Sequence, residues 1–124
     1  MSESTYEFYQ RGMALLESGD PAQAAVLLER AKRHEPDKAS IREALGRAYC
    51  NSGRYRLAGG HFAKALVLDP TNDYAHFGLA FCLARLGEAG RAAGHIKMAL
   101  AMSPENESYQ RLAARLAAGV KKNG

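Results

Sequence analysis

Four histidines and two cysteines are the residues of this 124-residue chain best suited to hold a metal or attack an electrophile, and their spacing supports neither role. Cys50 and Cys82 lie 32 residues apart, with no Cys-x2-Cys pair of the kind that closes a zinc site. Free cysteine usually behaves as a small buried apolar side chain, so both are expected to be reduced core residues. Of His34, His61, His76 and His95, only His61 and His95 are 34 residues apart, an interval that recurs along the chain. On neighbouring equivalent helices their α-carbons would stand roughly 10 Å apart, with no third ligand in reach. No metal or other cofactor is expected. Gly-x-Ser-x-Gly, His-Glu-x2-His and Gly-x4-Gly-Lys are all absent, and Gly59-Gly60 falls inside an expected helix rather than in a phosphate-cradling loop. The chain is therefore read as a non-enzyme.

The 34-residue interval organises everything else. Pro36, Pro70 and Pro104 mark it, and so do Gly19, Gly53 and Gly87. In the middle copy Leu45, Gly46, Tyr49, Ala58, Phe62, Ala65 and Pro70 follow one another at fixed offsets. The first copy places Phe8, Arg11, Gly12, Leu15, Ala24, Leu28, Ala31 and Pro36 at the same offsets, and the third places His76, Leu79, Ala80, Leu83, Ala92, Ile96, Ala99 and Pro104. This pattern resembles the tetratricopeptide repeat family, a 34-residue helix-turn-helix unit with Leu-Gly-x2-Tyr, then Ala-x3-Phe, then Pro. The family's leading Trp is missing: Phe8, Arg42 and His76 stand there. The resemblance covers residues 5 to 106 and implies an all-α, right-handed α-solenoid of three hairpins, at about 5–38, 39–72 and 73–106.

Each position has its own physical reason. Gly12, Gly46 and Ala80 face Ala24, Ala58 and Ala92 where two helices must approach within about 8 to 10 Å. Gly19, Gly53 and Gly87 suit a left-handed helix end. Asp20 and Pro21 form a polar cap followed by a first-turn proline, and Asn72 and Asn106 are candidate caps for later helices. The closing prolines stop each copy. Beyond the third copy, residues 107 to 119 form a seventh helix with Tyr109, Leu112, Ala113, Leu116 and Val120 on one stripe, a cap for the exposed end of the array. The whole is one domain, 1–124.

Composition narrows the partners. At 47% hydrophobic residues the chain can build a stacked core. Its net charge of +4 is spread unevenly, with residues 1 to 38 net acidic and residues 39 to 72 and 107 to 124 net basic. No block of like charges or basic-aromatic module marks a nucleic-acid binder, and Lys121 and Lys122 read as a frayed end. The polar start, Met1 to Glu7, has no signal-peptide character, and charges interrupt every apolar run before membrane-spanning length. A cytoplasmic protein, away from membranes and nucleic acid, is the expectation, as a monomer or weak homo-oligomer.

Helical periodicity gives the first helix a second apolar face, Tyr6, Tyr9, Met13 and Leu16, beside the one that packs on its partner. The resemblance implies that this face of each first helix lines a concave groove that binds partner peptides. Carried forward by repeats, the groove residues are Tyr6, Tyr9, Met13, Glu43, Arg47, Tyr74, Phe77, Phe81, Arg111 and Arg115. The alternative is that Tyr6, Tyr9 and Phe81 pack between repeats. Family members that clamp acidic chaperone tails use Lys, Asn, Asn, Lys and Arg, where this chain has Tyr9, Met13, Ala44, Tyr74 and Gly78. A partner with apolar or aromatic anchors is therefore expected. The functional reading is a protein-interaction module or adaptor; the alternatives are a self-assembling scaffold and a small secretion-type chaperone.

Overall fold

Ser2, Asp20, Asn72 and Asn106 each accept a hydrogen bond from the backbone N–H three residues on, and each opens a helix. The computed structural model describes residues 1–123, with side chains through Gly119. Its helices are α1 (Glu3–Glu17), α2 (Pro21–His34), α3 (Ala39–Asn51), α4 (Tyr55–Leu68), α5 (Asp73–Arg85), α6 (Ala89–Met102) and α7 (Glu107–Asn123). There is no strand among the described residues. The seventh helix runs four residues past its expected end. Val120, Lys121 and Lys122 lie outside the described side chains.

The three interval glycines end α1, α3 and α5 as expected. Gly19, Gly53 and Gly87 have φ of 84°, 77° and 82°, a region that costs other residues strain. The next residue then closes each turn, Asp20 N–H to Leu15 O at 2.8 Å, Arg54 to Tyr49 at 2.9 Å and Glu88 to Leu83 at 2.8 Å. The chain reverses within three residues, so α1 packs on α2, α3 on α4 and α5 on α6, and successive hairpins stack, with α7 closing the array against α5 and α6. The result is an α-solenoid of three hairpins and a cap.

Small residues set the crossings. A β-carbon on Gly12 would lie 2.7 Å from Leu28 Cγ, and one on Gly46 would lie 2.8 Å from the Phe62 ring. Gly78 was not anticipated: a β-carbon there would strike the tip of the same ring. Phe62 of α4 is thus seated between α3 and α5 and joins two hairpins as well as two helices. It is 1% exposed.

The histidines go elsewhere than their shared interval implied. His61 stacks on Tyr49 with centroids 5.4 Å apart, its Nε2 3.8 Å from Glu29 Oε1 and its buried Nδ1 without a partner. His95 faces His76, Nδ1 to Nδ1 at 3.2 Å. No group of three metal-ligating side chains exists among the described residues. Burial pushes the His61 pKa below its ordinary 6.5; Lys32 and Arg42 add to this and Glu29 opposes it. A depressed histidine favours folding above the unfolded pKa, and that contribution is lost as pH falls through the folded one. The melting temperature should therefore drop as pH falls below 6.5. His61→Leu should flatten that drop, since Leu27 holds the equivalent place in the first hairpin. Melting curves from pH 7.5 to about 5 check this; the same slope in the variant would assign the acid sensitivity elsewhere.

Candidate functional site

The first helices α1, α3, α5 and α7 lie side by side, and residues four apart on a helix share a face. Tyr9 and Met13, Glu43 and Arg47, Phe77 and Phe81, and Arg111 and Arg115 are such pairs. They line three hollows in succession. The first, about 310 Å³, lies between Tyr9 and Met13 of α1, Ser40, Glu43 and Arg47 of α3, and Tyr74 of α5. The second, about 240 Å³, is walled by Arg47, Cys50, Tyr55, Tyr74, Phe77 and Phe81, with Phe62 and Gly78 also in its lining. The third, about 160 Å³, lies between Phe77 and Phe81 and the Ser108, Arg111, Leu112 and Arg115 side of α7. Arg47 and Tyr74 belong to the first two, Phe77 and Phe81 to the last two, so the hollows form one track.

The aromatic middle is ordered by its own contacts. Tyr74 meets Phe62 edge-on at 6.1 Å, Phe77 stacks on Tyr109 at 4.9 Å, and Phe81 leans on Tyr55 at 6.1 Å. Such pairs add about 0.5 to 1.5 kcal/mol each beyond burial. Tyr55, Tyr74, Phe77 and Phe81 are half-buried, so they both pack against the core and present a face to the track, while Phe62 and Tyr109 are buried. Phe81, for which packing between repeats was the alternative, packs on Tyr55 and also lines the second and third hollows. Burial raises the pKa of Tyr74, with Arg47 opposing and Glu43 reinforcing, and burial followed by Glu43 raises that of Tyr9. Both hydroxyls stay neutral at ordinary pH and can donate.

The charges are partly engaged. Glu43 accepts from Asn72 Nδ2 at 2.6 Å, which fixes it at the seam between α3 and α5. Arg47 reaches Glu17 at 3.1 Å. Arg111 is 4.0 Å from Glu107 on exposed helix surface, an ion pair of small worth, and Arg115 has no acidic partner among the described residues. Tyr6 stands apart. It is 54% exposed and lines none of the three hollows, whereas Ser40, Tyr74 and Ser108, its equivalents, all do. Those three each sit in the furrow between their own first helix and the one before it.

Tetratricopeptide-repeat models match residues 9–73 and 52–116. The chain belongs to the tetratricopeptide repeat family. It is 30% identical over 100 residues to mouse Superkiller complex protein 3, covering 81% of this chain, and 32% identical over 112 residues to the TPR repeat-containing thioredoxin TTL4 of Arabidopsis thaliana, covering 90%. It spans only 6% and 16% of those two proteins. Among solved structures, the first TPR of Spaghetti (RPAP3) bound to the HSP90 peptide SRMEEVD superposes with a TM-score of 0.93 at 13% identity, over 98% of this chain and 96% of that one. The Yersinia enterocolitica chaperone SycD, in complex with a peptide of the translocator YopD, gives 0.81 at 19% identity, over 98% and 93%. At those identities the likeness is one of fold.

Two larger hollows, about 410 Å³ each, lie off the track, and both include Val26 of α2 in their walls. One is formed with Tyr49, Arg54 and Arg33, the other with Arg11, Leu15 and Leu27. These two share Val26 alone, while the smaller three share two residues at each junction and run across the first helices of all three hairpins to the cap. Continuity rather than volume marks the candidate site. Tyr55 and Leu112 were missed as lining residues, whereas Cys50 falls on the face that the repeats carry forward; a repeat-by-repeat reading of one helix face passes over Tyr55, which reaches in from the second helix of its hairpin.

Proposed function

We propose that this tetratricopeptide domain is a peptide-holding adaptor. The track from Tyr9 to Arg115 takes an extended or helical segment that sets apolar anchors in the aromatic middle and an acidic residue at the α7 end. The observation that carries the reading is the sharing of walls between the three hollows. Exposed apolar surface continuous with aromatic and arginine side chains is the composition from which interfaces draw most of their energy. The engagement of Arg47 with Glu17 shifts the charge partner toward Arg111 and Arg115. The neighbours solved with bound peptides give this fold a precedent for such use, though the polar clamp for acidic tails is replaced here by Tyr9, Met13, Ala44, Tyr74 and Gly78.

Peptide display against the purified chain tests the reading. Selected sequences should carry one or two large apolar residues followed by Asp or Glu. The double variant Phe81→Ala/Arg115→Glu should lose about 2 kcal/mol of binding, roughly thirtyfold in Kd, with its helical circular dichroism kept. Phe77 is the poorer choice, because its ring supports Tyr109. Equal binding by the folded double variant would reject the groove.

A further inference from the structure

His76 and His95 meet across the third hairpin, at a crossing where the other two hairpins use different side chains. The same two places hold Phe8 and Leu27 in the first hairpin and Arg42 and His61 in the second. An apolar pair therefore suffices to pack this crossing, and two imidazoles are not required by the fold. The rings approach edge to edge, Nδ1 to Nδ1 at 3.2 Å, with centroids 5.4 Å apart and planes inclined by 31°. His76 is 8% exposed and His95 is half-buried, so one ring is anchored in the core while the other borders solvent. Arg91, a turn before His95 on α6, is paired with Glu88 at 3.3 Å, which partly balances its charge. Neutral imidazole is a ligand for zinc, nickel and copper, whereas magnesium and calcium take oxygen. Two nitrogens bound to one tetrahedral ion at about 2.0 Å stand about 3.3 Å apart. The separation of 3.2 Å already matches that span. A hydrogen bond between the rings uses one Nδ1–H; once that ring carries its proton on Nε2 instead, both Nδ1 lone pairs are free, with no change of charge.

We propose that His76 and His95 form a two-imidazole site for a late first-row divalent metal ion such as zinc, which staples α5 to α6. Both residues bind through Nδ1, and water fills the remaining positions, since no third metal-ligating side chain joins the pair among the described residues. The site does not depend on the groove reading. The other two histidines face different surroundings: His34 stacks on Phe8, and His61 stacks on Tyr49 with its Nδ1 buried and without a partner. Two protein ligands without a third give modest affinity, a Kd on the order of 10 to 100 µM. An ion that binds the folded hairpin and not the unfolded chain stabilises the fold by mass action, so its presence is readable as a melting shift.

Zinc chloride titrated into the untagged chain at about pH 7.5 tests the site, because histidine is then largely neutral. One ion should bind per chain, and about 1 mM zinc should raise the melting temperature by about 5 °C, while the same concentration of magnesium leaves it unchanged. Histidine nitrogen-15 spectra should show the Nδ1 signals of His76 and His95 moving together, with both Nε2 atoms protonated. His76→Phe/His95→Leu should fold, since the first hairpin carries those residues at the same places, and should lose the thermal response. His95→Gln, a polar change at a half-buried position, should weaken zinc binding about tenfold or more, and His34→Gln should leave it unchanged. The site is overturned if about 1 mM zinc gives no thermal shift, if His95→Gln keeps the whole response, or if one ion is shared between two chains. Nδ1 signals that move at only one of the two rings would overturn it as well.

Discussion

Gly46→Leu is expected to unseat Phe62 and lower the melting temperature by on the order of 10 °C or more, since a few kcal/mol is a large part of a domain's stability. A β-carbon alone would stand 2.8 Å from the nearest ring atoms, and the opposite side of the ring is closed by Gly78. The ring cannot slide away from one glycine without striking the other. Overpacking of this kind costs about 1 to 3 kcal/mol, and expelling the ring would forfeit the roughly 3 to 5 kcal/mol associated with a buried phenylalanine. The effect has a specific rescue. Phe62→Leu creates room, so Gly46→Ala should be less damaging in a Phe62→Leu background than in the parent, a non-additivity typical of residues in contact. Thermal circular dichroism of the parent, the single variants and the double variant decides it. Purely additive effects, or a Gly46→Leu chain that melts with the parent, would mean the ring is not confined by both helices.

Phe62 also shows where sequence reading stops. Its place in the repeat was legible, because Phe62, Leu28 and Ile96 recur at one interval with small residues opposite. The role of Gly78 was not. Gly12, Gly46 and Ala80 mark the crossing within a hairpin and repeat at the 34-residue interval, whereas Gly78 serves the crossing between hairpins and is matched by Ala44 and Gln10. A signal that occurs once cannot be read from a period. The same holds for His76 with His95, which the shared interval of His61 and His95 concealed. Ser2 was missed as the cap of α1 because the repeat comparison began at Thr5. Within the track, equivalence under the repeat brought out Tyr9, Met13, Glu43, Arg47, Tyr74, Phe77, Phe81, Arg111 and Arg115 as one lining. Tyr6, read on the same face, lines none of the three hollows. Periodicity specifies a face of a helix; only the neighbour across the furrow makes that face a wall.

Removal of residues 107–124 should be the most damaging single change, because α7 is tied to the third hairpin by both apolar and polar contacts. Tyr109 and Leu112 are 3% and 6% exposed. Burying side chains of that size is worth about 1.5 to 3 kcal/mol each. Tyr109 Oη donates to Asp73 Oδ2 at 3.0 Å, and Ser103 Oγ donates to the same oxygen at 2.7 Å, so one carboxylate at the start of α5 joins the end of α6 to α7. These bonds, Ser103 first, hold the Asp73 pKa below its ordinary 3.8, against the opposing effect of burial. Truncation would expose Phe77, which stacks on Tyr109, and the apolar side of the third hairpin. The total, on the order of 5 kcal/mol, approaches the full stability of a small domain, so the shortened chain should melt early and aggregate. Tyr109→Phe separates the two kinds of contact. It keeps the ring and loses only the hydroxyl, for which less than about 1 kcal/mol is expected at a water-accessible carboxylate. A depressed carboxylate stabilises the fold above its unfolded pKa and ceases to do so as pH falls through the folded value, so Tyr109→Phe should also lose less stability on acidification than the parent. Melting temperature and light scattering of the truncated chain, with the Tyr109→Phe chain titrated beside it, measure both effects. A truncated chain that remains monomeric and melts with the parent would show that the third hairpin covers its own apolar face and that α7 serves the groove alone.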